Sequence, residues 1–413
     1  MRLSRATSLG GSTAGVVAAA VVLGVLMTSP TAPQARELAP LPPHLTKPSL
    51  ARALTTYRAL SDGGGWPSIP AGPSLRLGDA GARVAALRMR LAREGYLPAS
   101  PSEGEAARFD LALDRAVREF QRRHGLEVDA VVGRETLAAL NVPAAARVAQ
   151  IELNLARLRA LPARLGDPYV AVNLAAQDLQ LVEDGTSPLV SKVIVGKPST
   201  PTPVLSSEFA KVIFNPPWNV PASIAVNEIL PELQRDQAYL LKENMIVVGR
   251  PSDPRGLAID WSSPSATQFA TRLRQLPGAD NALGRIKFEF PSPYAVYLHD
   301  TPARRLFERA RRTFSHGCMR MERPRELAAY LLRDQGWGSA EIETAIAEGR
   351  TREASLQRPV ALWVLYLTAF AQADGAVHFR EDVYGLDARG RIFEELGTEG
   401  IEIASHFTPG CRG

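Results

Sequence analysis

A histidine and a cysteine lying close together in the sequence have the side chains that thiol catalysis needs. Fifteen residues separate His299 from the segment Ser315-His316-Gly317-Cys318. A cysteine attacks carbonyl carbon as the thiolate, and an imidazole can take up its proton near neutral pH. A lone cysteine is more often a small buried apolar residue. However, the chain has only six histidines and two cysteines, so the pairing favours catalysis, and the chemistry it indicates is acyl transfer.

The sequence around this pair predicts mostly strands. Alternating apolar residues at 169–185 and 191–205 predict a hairpin that turns at Asp184-Gly185. Further strands are predicted at 285–290 and 295–299, and a helix at 304–312 leads to Ser315. A Pro-rich mixed segment at about 224–283 interrupts the strands, so we interpret it as an inserted subdomain or lid.

The region before the strands is predicted to be helical. Apolar positions recur at helical spacing from Val84 to Leu97, with Asp79 placed to cap the first helix. A second helix is predicted at 111–124 and a third at about 133–140. Three short helices in about 65 residues predict a small helical bundle.

Composition and charge bear on the number of domains and on the kind of partner. A chain of 413 residues predicts two or three domains. The net charge of +5 suits an anionic partner but does not choose one. No nucleic-acid motif, phosphate-binding loop or metal-like cluster occurs in the sequence, so we expect no cofactor and no metal.

The first 36 residues resemble an export signal. Arg2 and Arg5 precede an apolar run from Ala14 to Met27, followed by small and polar residues. The alternative is an uncleaved membrane anchor, for which the strict apolar run is short. Export to the periplasm or cell envelope would expose two cysteines to oxidation. Cys411 lies in a C-terminal Pro-Gly-Cys-Arg tail, so we expect Cys318 not to be bonded to it.

The motifs around the histidine and cysteine are similar to the signature of the YkuD-type L,D-transpeptidases. The flanking segments resemble the larger periplasmic, YcbB-like branch; they are Val195-Gly196-Lys197-Pro198, Phe214-Asn215-Pro216-Pro217-Trp218 and Leu298-His299-Asp300-Thr301-Pro302. The helical region resembles a peptidoglycan-binding module, through Gly78-Asp79-Ala80-Gly81, Phe120-Gln121, His124-Gly125-Leu126 and Gly133-Arg134-Glu135-Thr136-Leu137.

The resemblance implies a role for each residue of the motif. Cys318 would attack the third residue of a peptidoglycan stem tetrapeptide and release D-alanine, with His299 as general acid and base. The carbonyl of Asp300 could orient the imidazole. The amides of Gly317 and Cys318 would stabilise the oxyanion, and Ser315 and His316 would line the groove.

Three further residues are assigned to the substrate groove. Arg320 stands where smaller family members carry Asn, and it could pair with a stem carboxylate. Trp218 and Tyr297 are candidates for the groove walls, although aromatic residues on strands more often belong to a core. For His316 a structural role, pinning the loop by a hydrogen bond, is the alternative to a direct one.

The predicted fold is multidomain α+β, with a three-helix bundle followed by a mostly β, YkuD-like catalytic domain that carries the lid. The predicted segments are a signal peptide or N-terminal anchor at 1–36, a linker with a scaffold helix at 37–73, a peptidoglycan-binding-like helical domain at 74–142, a connecting helix at 143–167, the catalytic domain at 168–388 and a tail at 389–413.

The predicted partners are a donor tetrapeptide stem and an acceptor amine, which together give cross-links between the third residues of two stems. An L,D-carboxypeptidase or a lipoprotein transferase would use the same thioester. A non-catalytic wall-binding scaffold has no need of the His299 and Cys318 pair. A thiol redox protein usually has a Cys-x-x-Cys motif, which is absent.

Overall fold

Five helices precede the first strand. The computed structural model describes residues 43–98, 106–372 and 375–392. The helices are α1 (Pro43–Asp62), α2 (Ala82–Arg93), α3 (Leu111–Arg123), α4 (Arg134–Leu140) and α5 (Ala144–Ala160). The helices predicted in this region are present, and α1 is the helix found within the predicted linker at 37–73.

Helices α2, α3 and α4 contribute to one small hydrophobic core. Their apolar faces bury residues such as Val84, Leu113 and Phe120, each at 0% exposure. The N-terminus of α3 is capped by Asp110, whose carboxylate accepts from Leu113 N at 2.8 Å. The predicted cap of α2 was wrong: Gly81 precedes that helix, and the Asp79 carboxylate accepts from Arg76 N at 2.8 Å within the preceding turn.

The first four strands begin the catalytic region. They are β1 (Tyr169–Asn173), β2 (Asp178–Glu183), β3 (Thr186–Gly196) and β4 (Leu205–Phe214). β2 and β3 form an antiparallel hairpin in which Glu183 faces Thr186 across the Asp184-Gly185 turn, as predicted. The segment 169–185, predicted as the first strand of the hairpin, is in fact two antiparallel strands. The chain reverses between them at 174–177, where Gln177 has a φ of 59°.

The segment between β4 and the next strand of the large sheet builds its own core. Its elements are β5 (Trp218–Asn219), α6 (Ala222–Ile224), a π-helical turn (Ala225–Ile229), α7 (Leu230–Arg235), α8 (Tyr239–Lys242), β6 (Met245–Val247), α9 (Ala266–Ala270) and β7 (Leu273–Gln275). The three strands form a small sheet in the order β5-β7-β6. Trp261, 1% exposed, lies in a hydrophobic cluster separate from the main one. We call residues 216–283 the insertion.

The remaining elements complete the catalytic region. They are β8 (Ile286–Glu289), β9 (Leu298–His299), a 3-10 turn (Arg304–Glu308), β10 (Thr313–Ser315), β11 (Met319–Met321), α10 (Pro324–Leu331), a 3-10 turn (Arg333–Gln335), α11 (Ser339–Ala347), β12 (Arg352–Leu365), β13 (Ala369–Ala371) and β14 (Val377–Phe379). The helix predicted at 304–312 is only the five-residue 3-10 turn, and α11 was not predicted.

One nine-stranded sheet organises this region. Its strand order is β10-β3-β11-β9-β8-β4-β12-β1-β2, and β2 also pairs with β3, so that the sheet closes on itself. The apolar residues of these strands, together with α10 and α11, form the largest core. A helical N-terminal region followed by a mostly β catalytic region is the coarse arrangement that the sequence predicted.

Two predicted segments lie outside the described residues. These are the signal peptide or anchor at 1–36 and most of the C-terminal tail, including Cys411. Within the described ranges, no helix has both the length and the apolar character needed to cross a membrane.

Candidate active site

Strands β9 and β11 bring the predicted histidine and cysteine to one face of the sheet. The two strands pair in parallel, with Leu298 opposite Met319 and His299 opposite Arg320. Side chains alternate along a strand, and Leu298 and Met319 point into the core at 0% exposure. His299 and Arg320 therefore share the other face, and Cys318 directly precedes β11.

That face borders a cleft. Seven of the eight predicted site residues line it, and Gly317 lies buried beside them. The lining residues are Trp218, Pro221, Ile224, Ala282, Leu283, Tyr297, His299, Ser315, His316, Cys318 and Arg320. The cleft therefore has walls from both the large sheet and the insertion.

The imidazole of His299 is held in one tautomer. Its Nδ1 lies 2.5 Å from the carbonyl oxygen of Asp300, the partner that the sequence suggested. A carbonyl only accepts, so Nδ1 carries the proton and, in the neutral ring, Nε2 keeps its lone pair. In this tautomer Nε2 is the only ring nitrogen that can accept a proton.

Asp300 is itself fixed from three sides. Its amide donates to the Ile286 carbonyl at 2.8 Å, and its carboxylate accepts from Arg285 N at 2.9 Å and from the Arg304 guanidinium at 3.3 Å. Gly284 has a φ of +64°, and a Cβ there would lie 2.5 Å from the Asp300 carboxylate. The loop can approach Asp300 this closely only because residue 284 lacks a side chain.

The environment of His299 keeps its imidazole neutral. Burial lowers its pKa to about 3, and the positive charges of Arg320 and Lys287 act in the same direction, against backbone hydrogen bonds to Asp300 and Leu283. The side chain is only 3% exposed. At neutral pH the resting ring is therefore neutral.

The cysteine loop, residues 315–318, is organised by the hydroxyl of Ser315. Its Oγ donates to the Cys318 carbonyl at 2.5 Å and accepts from Gly317 N at 3.1 Å. Gly317 has a φ of +119°, a backbone conformation that favours glycine. The Gly317 amide, one of the two predicted oxyanion donors, is thus engaged with Ser315.

His316 connects the cysteine loop to the insertion. Its Nε2 lies 2.7 Å from Oε1 of Glu228, which belongs to the π-helical turn. Because a carboxylate only accepts, the imidazole donates here. This contact matches the loop-pinning alternative for His316, and its partner comes from the insertion.

Tyr297, Trp218 and Arg320 surround the cleft. The Tyr297 ring meets that of His299 edge to face, with 5.7 Å between centroids, and Lys287 Nζ lies 4.2 Å from the Tyr297 centroid. Trp218 packs against the insertion core and also lines the cleft. Both aromatic residues therefore serve a core and the cleft at once.

Cys318 is 7% exposed and forms no disulfide among the residues that the structure describes. Over the same part of the chain, no group of three or more His, Cys, Asp or Glu side chains is arranged to hold a metal ion.

Sequence reasoning missed several residues of the site. Glu228 lies in the insertion and Lys287 lies 12 residues before His299, and no local pattern marks either charged residue as part of the site. Pro221, Ala282 and Leu283 line the cleft through the packing of the insertion. Thr202 is also missed, although it follows the Val195-Gly196-Lys197-Pro198 segment that the resemblance used.

Comparison with known families assigns two parts of the chain. Residues 167–350 match the family model described as the YkuD L,D-transpeptidase catalytic domain. Residues 80–140 match the model described as a putative peptidoglycan binding domain. Both predicted resemblances are thereby confirmed at the level of family.

Two curated proteins are similar to this chain. A protein of Haemophilus influenzae named "Putative L,D-transpeptidase" is 36% identical over 248 residues, which cover 59% of this chain and 49% of that protein. The N-acetylmuramoyl-L-alanine amidase CwlM of Mycobacterium tuberculosis is 40% identical over 75 residues, 17% of this chain and 18% of its own length. The chain thus spans about half the length of the first relative.

Solved structures of L,D-transpeptidases also align with this chain. The structure from Xylanimonas cellulosilytica is 18% identical, covering 72% of this chain and 99% of its own, with a TM-score of 0.23. That from Stackebrandtia nassauensis is 14% identical, covering 72% and 96%, with a TM-score of 0.25. TM-scores of this size do not establish a shared overall fold. The family matches do assign the segments: residues 167–350 are a YkuD-family L,D-transpeptidase catalytic domain, and residues 80–140 are a domain of the peptidoglycan-binding family.

Proposed function

We propose that this chain is an exported peptidoglycan L,D-transpeptidase with Cys318 as its nucleophile. The observation that carries the proposal is the shared face of β9 and β11 within a YkuD-family domain. There a neutral imidazole with a fixed tautomer and a thiol border the same cleft. A thiol beside an oriented base is the arrangement that acyl transfer through a thioester requires.

In the first half-reaction, Cys318 attacks the carbonyl carbon of the third residue of a tetrapeptide stem. The thiol proton passes to His299 Nε2 as the carbon–sulfur bond forms. The tetrahedral intermediate collapses by breaking the bond to D-alanine, and His299 returns the proton to the departing amine. A thioester on Cys318 and free D-alanine result.

In the second half-reaction, an amine of a neighbouring stem attacks the thioester. His299 removes a proton from the amine as the new amide bond forms, and this proton restores the Cys318 thiol. The product is a cross-link between the third residues of two stems. The same base acts in both halves, which requires an imidazole that is neutral at rest.

The oxyanion that forms in each half needs a hydrogen-bond donor. The amides of Gly317 and Cys318 are the two predicted donors, and Ser315 engages that of Gly317. One well-placed donor of this kind is worth about 3 kcal/mol in the transition state. Arg320 and Lys287 add positive charge to the same side of the cleft.

The insertion acts as a lid in this proposal. It supplies Trp218, Pro221 and Ile224 to the cleft wall and connects to the cysteine loop through Glu228. Excluding water from the thioester favours transfer to an amine over hydrolysis. Arg320 would pair with a carboxylate of the stem peptide, and the three-helix bundle at residues 74–142 would hold the enzyme on peptidoglycan.

Export by the N-terminal signal, or retention by an uncleaved anchor, would place this activity in the periplasm or cell envelope. The YcbB-like branch remains the proposed subgroup, on the basis of the flanking motifs and the insertion. The acceptor separates the alternatives: water would make the protein an L,D-carboxypeptidase, and a lipoprotein lysine would make it an anchoring enzyme.

The deciding experiment incubates purified protein with disaccharide tetrapeptide and analyses the products by mass spectrometry. We expect loss of D-alanine and formation of cross-linked dimers. Cys318→Ala should abolish both, whereas the matched variant Cys411→Ala, which removes the other thiol, should retain them.

Dimers that persist in Cys318→Ala would refute the cysteine mechanism. Release of D-alanine without dimers from the wild-type enzyme would identify a carboxypeptidase. Binding to peptidoglycan with neither product would support the non-catalytic scaffold instead.

A further inference from the structure

A threonine outside the signature motif holds the backbone of the cysteine loop. Thr202 is 2% exposed, and its Oγ1 donates to the Gly317 carbonyl at 2.8 Å. The same oxygen accepts from Gly196 N at 2.9 Å. A carbonyl only accepts and an amide only donates, so the direction of both hydrogen bonds is fixed.

This contact determines where the amide of the nucleophile points. The Gly317 carbonyl and the Cys318 N–H belong to one planar trans peptide and face opposite directions. Fixing the carbonyl against Thr202 therefore directs the Cys318 N–H away from Thr202. Ser315 fixes the two flanking groups, Gly317 N and the Cys318 carbonyl, so the peptide is held on both sides.

The loop that carries Thr202 is packed against the end of β3. A Cβ on Gly196 would lie 2.2 Å from the Thr200 carbonyl oxygen and 2.7 Å from Thr202 N. Gly196 faces Ser315 in the pairing of β3 with β10, and Lys197 N donates to the Ser315 carbonyl at 2.9 Å. The glycine thus permits the close approach that brings Thr202 under the cysteine loop.

Tyr384, which follows β14, supports the same loop. Its hydroxyl donates to the Gly196 carbonyl at 2.8 Å and accepts from Thr202 N at 3.4 Å. Burial raises the pKa of Tyr384 to about 12, so the phenol keeps its proton and remains a donor. This residue lies beyond the segment 167–350 that matches the family model.

We propose that Thr202 is a positioning residue for acyl transfer: its hydroxyl orients the Gly317–Cys318 peptide so that the Cys318 amide faces the developing oxyanion, and Tyr384 holds Thr202 in place. The inference rests on the proposed function. It concerns the step in which the thiolate adds to a carbonyl and the carbonyl oxygen gains negative charge. Alkylation of the same thiol develops no oxyanion and does not need this donor.

The test compares two reactions of Cys318 in Thr202→Val and Thr202→Ser. Valine matches the shape of threonine without the hydroxyl, and serine keeps the hydroxyl. Acylation is followed by the nitrophenol burst from p-nitrophenyl acetate and by D-alanine release from disaccharide tetrapeptide. Alkylation is followed with iodoacetamide, which reacts by direct displacement at carbon.

We expect Thr202→Val to lower the acylation rate by about 10-fold or more, since losing a direct oxyanion donor costs about 100- to 1000-fold. The alkylation rate should stay within about twofold, because that reaction has no oxyanion to stabilise. With the tetrapeptide, kcat should fall while KM changes little, and Thr202→Ser should restore most of the rate. Tyr384→Phe should also lower the acylation rate, by a smaller factor, and leave the alkylation rate unchanged. This variant provides the test if Thr202→Val does not fold.

Equal acylation by wild type and Thr202→Val would overturn the inference. A parallel fall of acylation and alkylation that Thr202→Ser does not restore would also overturn it, since that pattern marks a purely structural residue. Failure of the proposed function is separately visible: the wild-type enzyme would then react with the ester and with iodoacetamide but not with the tetrapeptide.

Discussion

Glu228 of the insertion and His316 of the cysteine loop are joined by a hydrogen bond of 2.7 Å between Oε1 and Nε2. The two residues are far apart in sequence, and Glu228 belongs to the insertion, which has its own hydrophobic core. The imidazole is 25% exposed and the carboxylate 52% exposed, so the contact lies at the rim of the cleft. This hydrogen bond therefore couples the position of the insertion to the loop that carries the nucleophile.

Glu228→Ala should weaken closure of the insertion without unfolding the protein. An exposed pair of this kind contributes at most about 1 kcal/mol, so we expect KM for the tetrapeptide to rise about two- to fivefold. Hydrolysis should also increase relative to cross-linking, because water reaches the thioester more easily. The measurement is the ratio of dimer to hydrolysed monomer by mass spectrometry.

The matched control is Glu232→Gln. Glu232 lies one turn further along the insertion and pairs with Arg235 at 2.8 Å. The Glu232→Gln variant should leave both the KM for the tetrapeptide and the ratio of dimer to hydrolysed monomer unchanged. A similar change in the two variants would show that the insertion responds to surface charge in general and not to the contact with His316.

Gly284→Ala should destabilise the protein and impair the base. Alanine at a φ of +64° is strained, and its Cβ would lie 2.5 Å from the carboxylate that fixes Asp300. Together these effects should lower the free energy of unfolding by about 2 kcal/mol or more. Urea denaturation gives this number, and a lower kcat would report the displaced His299.

Gly349→Ala is the control that separates backbone strain from the close contact with Asp300. Gly349 has a φ of +69°, and a Cβ there would have nothing within 4 Å. The Gly349→Ala variant should lose about 1 kcal/mol in the free energy of unfolding, from backbone strain alone, and keep its kcat. Equal losses in the two variants would mean that the approach to Asp300 has no energetic consequence.

The site was predictable where its residues follow one another in the chain. His299, Ser315 and Cys318 were recognised by type and spacing, and the register of β9 with β11 then explains why that spacing works. Asp300 was predictable as the partner of His299 because the two are adjacent. Contacts between residues next to each other in sequence need no knowledge of the tertiary fold.

The partners that come from distant segments could not be predicted in this way. Glu228, Lys287 and Thr202 come into contact with residues of the site only after the insertion forms and the sheet closes. Asp79 was predicted to cap α2, but its carboxylate accepts from Arg76 N in the turn before that helix. Local patterns indicate which elements form, whereas the choice among competing hydrogen-bond partners depends on tertiary packing.

A buried ion pair should contribute strongly to the stability of the helical region. Arg90 and Glu94 are 2.6 Å apart with side chains 0% and 2% exposed, and Tyr57 also donates to Glu94 at 2.8 Å. Glu94→Gln leaves the guanidinium charge buried without its counter-charge. We expect a loss of about 3 kcal/mol in the free energy of unfolding, measured by urea denaturation.

The comparison variant for this pair is Glu119→Gln. Glu119 pairs with Arg123 at 2.7 Å on the surface of α3, where its side chain is 36% exposed. Glu119→Gln should lower the free energy of unfolding by less than about 1 kcal/mol. A loss of the same size in both variants would mean that the Arg90 and Glu94 pair is solvated in the folded protein.

Acid should destabilise the protein through its buried histidines. Burial lowers the pKa of His299 to about 3 and of His378 to about 2, in each case with nearby arginines acting in the same direction. Above the ordinary value of 6.5 both folded and unfolded chains carry neutral rings, so neither residue contributes to pH dependence there. Between 6.5 and the lowered pKa only the unfolded chain binds the proton. The free energy of unfolding should therefore fall with falling pH, by up to about 1.4 kcal/mol per pH unit for each histidine.

Urea titrations at several pH values between about 4 and 8 measure this slope. Below pH 6.5, His299→Gln should reduce the slope of the free energy of unfolding against pH by the contribution of about one proton. His378→Gln should reduce it by the same amount independently. Neither substitution should alter the slope above pH 7, because the rings are neutral in both states there. An unchanged acid slope in His299→Gln would show that the ring takes up its proton in the folded protein. In that case burial would not lower the pKa of His299 below its ordinary value of 6.5.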